Sequence, residues 1–341
     1  MGHSNDPFEF EELLNSSFIK INFCTTAILR SIHPKLYFAK GFFDWLQSFV
    51  KTHHVSHIYI NDDLSARHQS QIEKTLCCSL IDRTQLILKL FESRARSYEG
   101  KLQVELAKLA YLSTRLVRGW THLERQRGGI GVRGGPGETQ LELDKRILND
   151  RIKAIKEKLK KFNQHRIITQ KNRTLVHKIH LVGYSNVGKS TLFEYIANKK
   201  TYHDDRLFAT LDPLSAKVGY GDHKFILTDT VGFISNLPES LMNAFLATLS
   251  EIKLSNQILH VIDASNMNWL DHVHSVNNAL EHLDVEHHNV VCIFNKVDLI
   301  DEFTLQKLKE EYPQSYFVSA LEHKGIDNLV EFLKTCAKNQ V

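Results

Sequence analysis

One stretch constrains this chain more than any other: Gly183-Tyr184-Ser185-Asn186-Val187-Gly188-Lys189-Ser190. Its spacing, G-x-x-x-x-G-K-S, is that of a loop that wraps phosphate. His180-Leu181-Val182 precedes it and reads as a strand, and Thr191–Asn198 follows it and reads as a helix. Glycines let successive backbone N–H groups curl around an anion, and the helix N-terminus adds partial positive charge. Lys189 would reach the terminal phosphates, Ser190 would ligate Mg²⁺, and Thr191 lies in the same first helical turn. A plain glycine-containing strand-to-helix turn shares this spacing. The motifs that follow, in the order a phosphate site requires, favour the phosphate reading.

Asp229-Thr230-Val231-Gly232 closes an apolar strand, Phe225–Asp229. Asp229 is suited to hold Mg²⁺ through water, and the Gly232 N–H to meet a γ-phosphate. Asn295-Lys296-Val297-Asp298 closes the strand Val290–Phe294. The Asp298 carboxylate can accept hydrogen bonds from guanine N1–H and the N2 amino group. Adenine offers neither there, so the carboxylate would be left unpaired, which is costly in a desolvated pocket. Asn295 would brace the loops. Ser319-Ala320-Leu321 ends a last strand, and its backbone can donate to guanine O6. Together these elements point to GTP and GDP as ligands and to GTP hydrolysis as the reaction.

Between the phosphate loop and Asp229 lies Phe208-Ala209-Thr210-Leu211-Asp212-Pro213, in which Thr210 is the candidate to close over Mg²⁺. Thr201 and Thr230 are the alternatives. Lys189, Thr210 and Gly232 form the expected catalytic set. Phe233 stands where Ras-like proteins carry a water-orienting glutamine. Phenylalanine cannot orient water, so slow intrinsic hydrolysis, accelerated by a partner, is expected.

The chain has 341 residues, enough for more than one domain. Its apolar share of 42% and charged share of 24% are those of a globular protein and exclude a disordered one. The five cysteines form no C-x-x-C pair, which favours free thiols in a reducing cytosol. His53-His54 and His287-His288 read as solvated loop positions. No run approaches the roughly twenty apolar residues of a membrane span. Met1–Pro7 is polar, unlike a signal peptide. A cytoplasmic location is expected.

Periodicity divides the chain into residues 1–82, 83–170 and 175–341. In the first part Glu9–Leu14 reads as a helix and Phe18–Phe23 as a strand. Helix Lys40–His53, strand His57–Ile60, helix Ser65–Thr75 and strand Leu76–Ile81 follow. This is a small parallel α/β subdomain without a nucleotide motif, read as a docking or scaffold unit. A long helix from about Arg83 to Arg125 and another from about Glu138 to Gln164 carry leucine and isoleucine stripes. They should pack as a long antiparallel helical hairpin. Lys171–Thr174 reads as a linker. From Leu175 onward strands and helices alternate as in an α/β doubly wound sheet, with ligand sites at the C-terminal strand ends. The predicted helices there are Lys189–Ala197, Pro238–Ile252, Trp269–Leu283, Glu302–Glu311 and Ile326–Ala337.

The hairpin tip, Gly128–Gly137, contains Gly129-x-Gly131-x-x-Gly134. No strand precedes it, so a dinucleotide fingerprint is rejected. Arg125, Arg127 and Arg133 flank the tip, and a basic run from Lys145 to Arg173 follows with few acids between. Most charge runs are solvated helix faces. Arginine beside a glycine-rich tip favours a phosphate-binding surface, and these three arginines are the candidate RNA contacts.

The chain resembles the HflX family of translational GTPases. The resemblance runs from about Pro34 to Lys338 and is most specific at Gly128–Arg146, with Gly135-Pro136-Gly137-Glu138-Thr139-Gln140-Leu141-Glu142 at its centre. Leu116–Arg125, Phe208–Pro213 and Asp229–Ile234 carry it further. It implies a P-loop GTPase that binds the large (50S) ribosomal subunit and its 23S rRNA near the peptidyl-transferase region and separates stalled 70S ribosomes. It also implies Asn186 as a ligand of a potassium ion; a monomer is expected. The pattern departs from the family's in Gly134-Gly135, one glycine longer, and in Leu214-Ser215, where hydroxyl-rich positions are common. Family members usually carry a further domain after the nucleotide-binding one, whereas this chain stops at Val341. That keeps open a second reading, a GTP-timed RNA- or ribosome-binding factor in subunit maturation.

Overall fold

The computed structural model describes residues 6–338 except 28, 30, 117–139, 172–175, 199–206, 209–212, 221–222, 236, 239–240, 242–251, 283–284 and 286–289. The chain divides into two compact units. One is Met1–Ser93 with Leu102–Lys158, and the other is Arg94–Lys101 with Leu159–Val341.

The first unit opens with α1 (Pro7–Ser16), whose N-terminus is fixed by Asp6 accepting from the Phe8 N–H and by proline at the start. The expected strand Phe18–Phe23 does not form. Ile19 and Ile21 are half-buried between exposed neighbours, so the alternation is present. Phe18 instead takes a left-handed turn with its N–H donating to the Asn15 carbonyl, and among the described residues no strand lies alongside to complete a ladder. Next come α2 (Lys40–His53), β1 (His57–Ile60), α3 (Ala66–Leu76) and β2 (Ser79–Asp82). Ser65 caps α3 through the His68 N–H. β1 and β2 pair in parallel, with Ile60 opposite Asp82. Beneath them Phe43, Leu46, Val50, Ile72, Leu76 and Leu80 form a core.

The expected single helix from Arg83 is two: α4 (Arg83–Arg94) and α5 (Tyr98–Arg115). Ser97 interrupts it, because its hydroxyl accepts from the Gly100 N–H and starts a new helix. Residues 117–139, including Gly119 and the tip with Arg125, Arg127 and Arg133, lie outside the described residues. α6 (Gln140–Lys171) runs past the expected end at Gln164. Glu105 on α5 pairs with Arg151 on α6, while Tyr98 meets Phe162, so the helices run antiparallel. Ile155 and Leu159 are buried in the hairpin. Lys145, Arg146, Lys153, Lys156, Lys158, Lys160 and Lys161 all stand exposed.

In the second unit, β3 (His177–Gly183), β4 (Leu214–Tyr220), β5 (His223–Asp229), β6 (Gln257–Asp263), β7 (Val290–Asn295) and β8 (Tyr316–Phe317) form a six-stranded sheet in the order β4-β5-β3-β6-β7-β8. All pairs are parallel except β4 with β5, so the sheet is mixed. β4 is absent from the sequence reading. Its signal was the alternation Leu214, Ala216, Val218, Tyr220 followed by Gly221-Asp222, a hairpin turn dipeptide. The helices are α7 (Lys189–Ala197), α8 (Trp269–His282), α9 (Glu302–Glu311) and α10 (Ile326–Lys338). Most of the expected helix Pro238–Ile252 lies outside the described residues. The sheet register brings Gly183, Asp229, Asp263 and Asn295 to one end, with Leu181 opposite Asp229, Gly183 opposite Val261 and Asp263 opposite Asn295. Here, around the central strand β3, the strand order reverses, the place where open α/β sheets put their ligand sites. No helix among the described residues is long and apolar enough to cross a membrane.

Candidate nucleotide site

The loop between β3 and α7 is built by close backbone approaches. A Cβ on Gly183 would stand 2.3 Å from the Val261 carbonyl oxygen, and one on Gly188 2.3 Å from the Asn295 amide nitrogen. Gly188 also has φ +90°, a conformation that favours glycine. Asn186, exposed, takes φ 62° at the turn of the loop. Val187 is buried, and its carbonyl accepts from the Asn295 amide at 2.8 Å. The other end of that side chain accepts from the Ala320 N–H at 2.9 Å. Asn295 therefore ties the phosphate loop, the end of β7 and the turn after β8 together.

Lys189 is buried, and its Nζ donates to the carbonyls of Gly183 (3.1 Å) and Tyr184 (2.6 Å). Burial pushes its pKa down to about 8, against the opposing pull of the Asp229 charge. Beneath it, buried His260 is pushed down to about 4 by burial and by Lys189. Ser190 Oγ donates to Asp229 Oδ2 at 2.6 Å. A hydroxyl and a carboxylate so placed are hard oxygen donors, the chemistry Mg²⁺ prefers, so these residues fit the ion. Thr191 is half-buried in the first turn of α7.

Gly232 packs against the loop: a Cβ there would stand 2.8 Å from Ser185 Cα and 3.0 Å from Lys189 Nζ. Phe233 is buried, and its backbone is paired on both sides of Tyr184. The Ser185 N–H donates to the Phe233 carbonyl at 2.6 Å, and the Phe233 N–H to the Gly183 carbonyl at 3.1 Å. Ser185 Oγ in turn accepts from the Phe208 N–H at 2.9 Å. Thr230 Oγ1 donates to the Leu181 carbonyl at 2.7 Å, committed to the strand end. Thr201 and Thr210 lie outside the described residues, as do the arginines of the tip.

At the base-reading end, Asp298 Oδ1 is sheltered from solvent and has no hydrogen-bond partner among the described residues. Lys296 takes φ 63°, and its ammonium pairs with Asp263 Oδ2 at 2.6 Å. Asp263 was not among the expected site residues, although its place at the end of β6, level with Asn295, could have flagged it. Ser319 is buried, its N–H donating to the Lys324 carbonyl at 3.0 Å and its hydroxyl accepting from the Glu322 N–H at 3.1 Å. Leu321, 78% exposed, projects from the same turn.

The structure thus brings together Gly183–Thr191, Asp229, Gly232, Asn295, Lys296, Asp298 and Ser319–Leu321 at one sheet end. The cysteines are free thiols, and among the described residues no three His, Cys, Asp or Glu side chains gather as a metal cluster.

A mixed sheet with this strand order, a glycine loop entering α7, and strand-end Asp229 and Asn295 define a P-loop GTPase. Three family models match in succession. Residues 5–92 match GTP-binding GTPase N-terminal, 94–173 match GTP-binding GTPase Middle Region, and 178–296 match 50S ribosome-binding GTPase. The curated relative GTPase HflX of Escherichia coli strain K12 is 41% identical over 330 residues, covering 95% of this chain and 77% of that protein. GTPase HflX of Magnetococcus marinus is 38% identical over 329 residues, covering 96% and 76%. The chain belongs to the HflX family of GTPases. A crystal structure of a GTP-binding protein from the archaeon Sulfolobus solfataricus in complex with GDP shares the fold, at TM-score 0.51 and 22% identity over 98% of this chain and 96% of that one.

Proposed function

We propose that this chain binds the large ribosomal subunit near the peptidyl-transferase region and, with GTP bound, separates stalled or idle 70S ribosomes. What carries the reading is kinship along 95% of the chain with the E. coli GTPase HflX, joined to a 50S ribosome-binding GTPase match over residues 178–296. The chain acts as a monomer in the cytoplasm.

Within the site, backbone N–H groups of Gly183–Thr191 cradle the phosphates and Lys189 neutralises their terminal charge. Ser190 and Asp229, 2.6 Å apart, would hold Mg²⁺ together with Thr210. The ion, when bound, stabilises charge developing on the β- and γ-phosphate oxygens. Asn186 would ligate a potassium ion. The Gly232 N–H meets the γ-phosphate. Asp298, its Oδ1 sheltered and without a hydrogen-bond partner among the described residues, reads the guanine edge. Lys296, Ser319, Ala320 and Leu321 complete the base pocket. Buried Phe233 offers no group to orient water, so ribosome contact accelerates hydrolysis. Arg125, Arg127 and Arg133 contact 23S rRNA phosphates.

Sedimentation of 70S ribosomes with the protein and a non-hydrolysable GTP analogue tests this. Separated 30S and 50S peaks are expected with the analogue and not with GDP. Intact 70S particles carrying the bound protein would favour a maturation factor instead.

A further inference from the structure

Tyr184 of the phosphate loop reaches with its side chain to the segment after Asp229. Its ring is 4% exposed and lies flat on His272 of α8, centroids 3.7 Å apart and planes 3° apart. Its hydroxyl accepts the Ser235 N–H at 2.6 Å. The backbone beside it pairs with Phe233 through two further hydrogen bonds, so Tyr184 and Phe233 form a parallel bridge beyond the last β3–β5 pair, Leu181–Asp229. Residues 231–235 are therefore zipped onto the phosphate loop as a continuation of the sheet. The zip holds Gly232 so close that even a methyl group on it would stand 3.0 Å from Lys189 Nζ.

A γ-phosphate uses both Lys189 and the Gly232 N–H, and so must share the space into which Gly232 is drawn. A β-phosphate lies deeper in the loop and needs no such room. We infer that Tyr184 is a positioning residue: its bond to Ser235 and its stack on His272 hold the Gly232 segment in the arrangement that disfavours a γ-phosphate, setting the preference between GDP and GTP. The hydroxyl is the latch and the stack is its mount. A ligand that favours the open arrangement must supply the free energy of breaking it.

This rests on the guanine-nucleotide reading of the site, which the same experiment checks separately. Fluorescent GDP and a fluorescent non-hydrolysable GTP analogue are titrated against the full chain with Mg²⁺, and ADP serves as control. Wild type binding GDP and not ADP upholds the site. Tyr184→Phe keeps ring and stack and removes only the hydroxyl. Its affinity for the GTP analogue relative to GDP should rise roughly fivefold, the size of one buried hydrogen bond. His272→Ala should shift the ratio the same way, and Ser235→Ala, which keeps the backbone N–H, should leave it unchanged. In steady-state hydrolysis the gain in Tyr184→Phe should come through KM. An unchanged ratio in both Tyr184→Phe and His272→Ala, each melting near wild type, overturns the latch. Equal weakening of GDP and analogue overturns it too, since Tyr184 would then serve only the loop's fold. Loss of GDP selectivity over ADP in the wild type would instead count against the site itself.

Discussion

Each unit has parallel strands ending in polar residues, and the two ends are finished in opposite ways. In the first unit the chain fills the end with its own side chains. Asp82, fully buried at the end of β2, accepts from Arg115, from Tyr111 OH at 3.0 Å and from the Gln85 N–H at 2.8 Å. Arg115 also donates to Gln69 and to the Leu64 carbonyl at 2.7 Å. Arg83 pairs with Glu9 and with Asn61 at 2.8 Å, and Asp63 accepts from Thr84. In the second unit glycines let the phosphate loop pack closely on the strand ends, and Asp298 Oδ1 is a sheltered acceptor with no hydrogen-bond partner among the described residues. A parallel sheet therefore supplies a place for a ligand, and the neighbouring side chains decide whether that place stays open. The first unit's strand end is filled by its own ion pairs and hydrogen bonds, consistent with the absence of any nucleotide motif there.

The largest effect should come from opening the closed end. Asp82→Ala leaves Arg115 buried beside Tyr111 without its carboxylate, which costs about 3–5 kcal/mol. Thermal or denaturant melting should register that loss, and a drop under about 1 kcal/mol would mean the network is incidental. Next in size is the open end. Lys189→Ala or Ser190→Ala should lower single-turnover GTP hydrolysis by about 10²–10³-fold, with melting little changed. Near-normal turnover in both would erase the contrast.

Asp298→Asn should weaken GDP binding by about 1.5–3 kcal/mol, since a charged acceptor is lost to guanine. Titration against GDP and ADP reads this, and tighter ADP than GDP binding by the wild type would remove the base assignment. The smallest effect is a pH slope. Lys189 in the free protein is pushed down to about 8 by burial. Bound phosphates favour its charged form, so binding takes up a proton above that pH. GDP affinity should be flat below pH 8 and fall at most about tenfold per unit above it. The sign for folding is opposite. The unfolded lysine binds the proton more tightly between about 8 and its ordinary value, so this group's contribution to nucleotide-free stability rises with pH across that window. Calorimetry in buffers of different ionisation enthalpy would detect the proton, and no uptake at pH 8.5 would mean Lys189 is already charged.

What was legible in the sequence follows from the range of the forces involved. The strand β3, the loop and the helix Lys189–Ala197 obey local rules of period, glycine placement and capping, and were read correctly. The break at Ser97 was missed because a single hydroxyl accepting from Gly100 overrode a continuous leucine stripe. Phe18–Phe23 had the right alternation, but a strand needs a partner, which no local pattern announces. β4 went unread although its alternation was local: Leu214-Ser215 was taken only as a departure from the family's hydroxyl-rich positions, while Leu214–Tyr220 pairs with β5 beyond the turn. Bonds such as Arg115 to Asp82, 33 residues apart, or Asn295 to Val187, 108 apart, have no spacing signature. Lys296 to Asp263 and Tyr184 to Ser235 likewise emerge only once the sheet register is set.

That register also governs which sequence changes the hairpin of β4 and β5 can accept in evolution. Leu214 lies opposite Asp229 and Tyr220 opposite His223, so the hairpin measures the distance from Pro213 to the candidate metal carboxylate like a ruler. A one-residue insertion or deletion within β4 would turn every later side chain to the opposite face, bringing Ala216 and Val218 out of the core and Lys217 into it. Substitution on the exposed face of β4 is cheap, while a change of length is not. Homologues should therefore vary freely in residue type along these strands and hold the count of residues from Pro213 to Asp229 fixed.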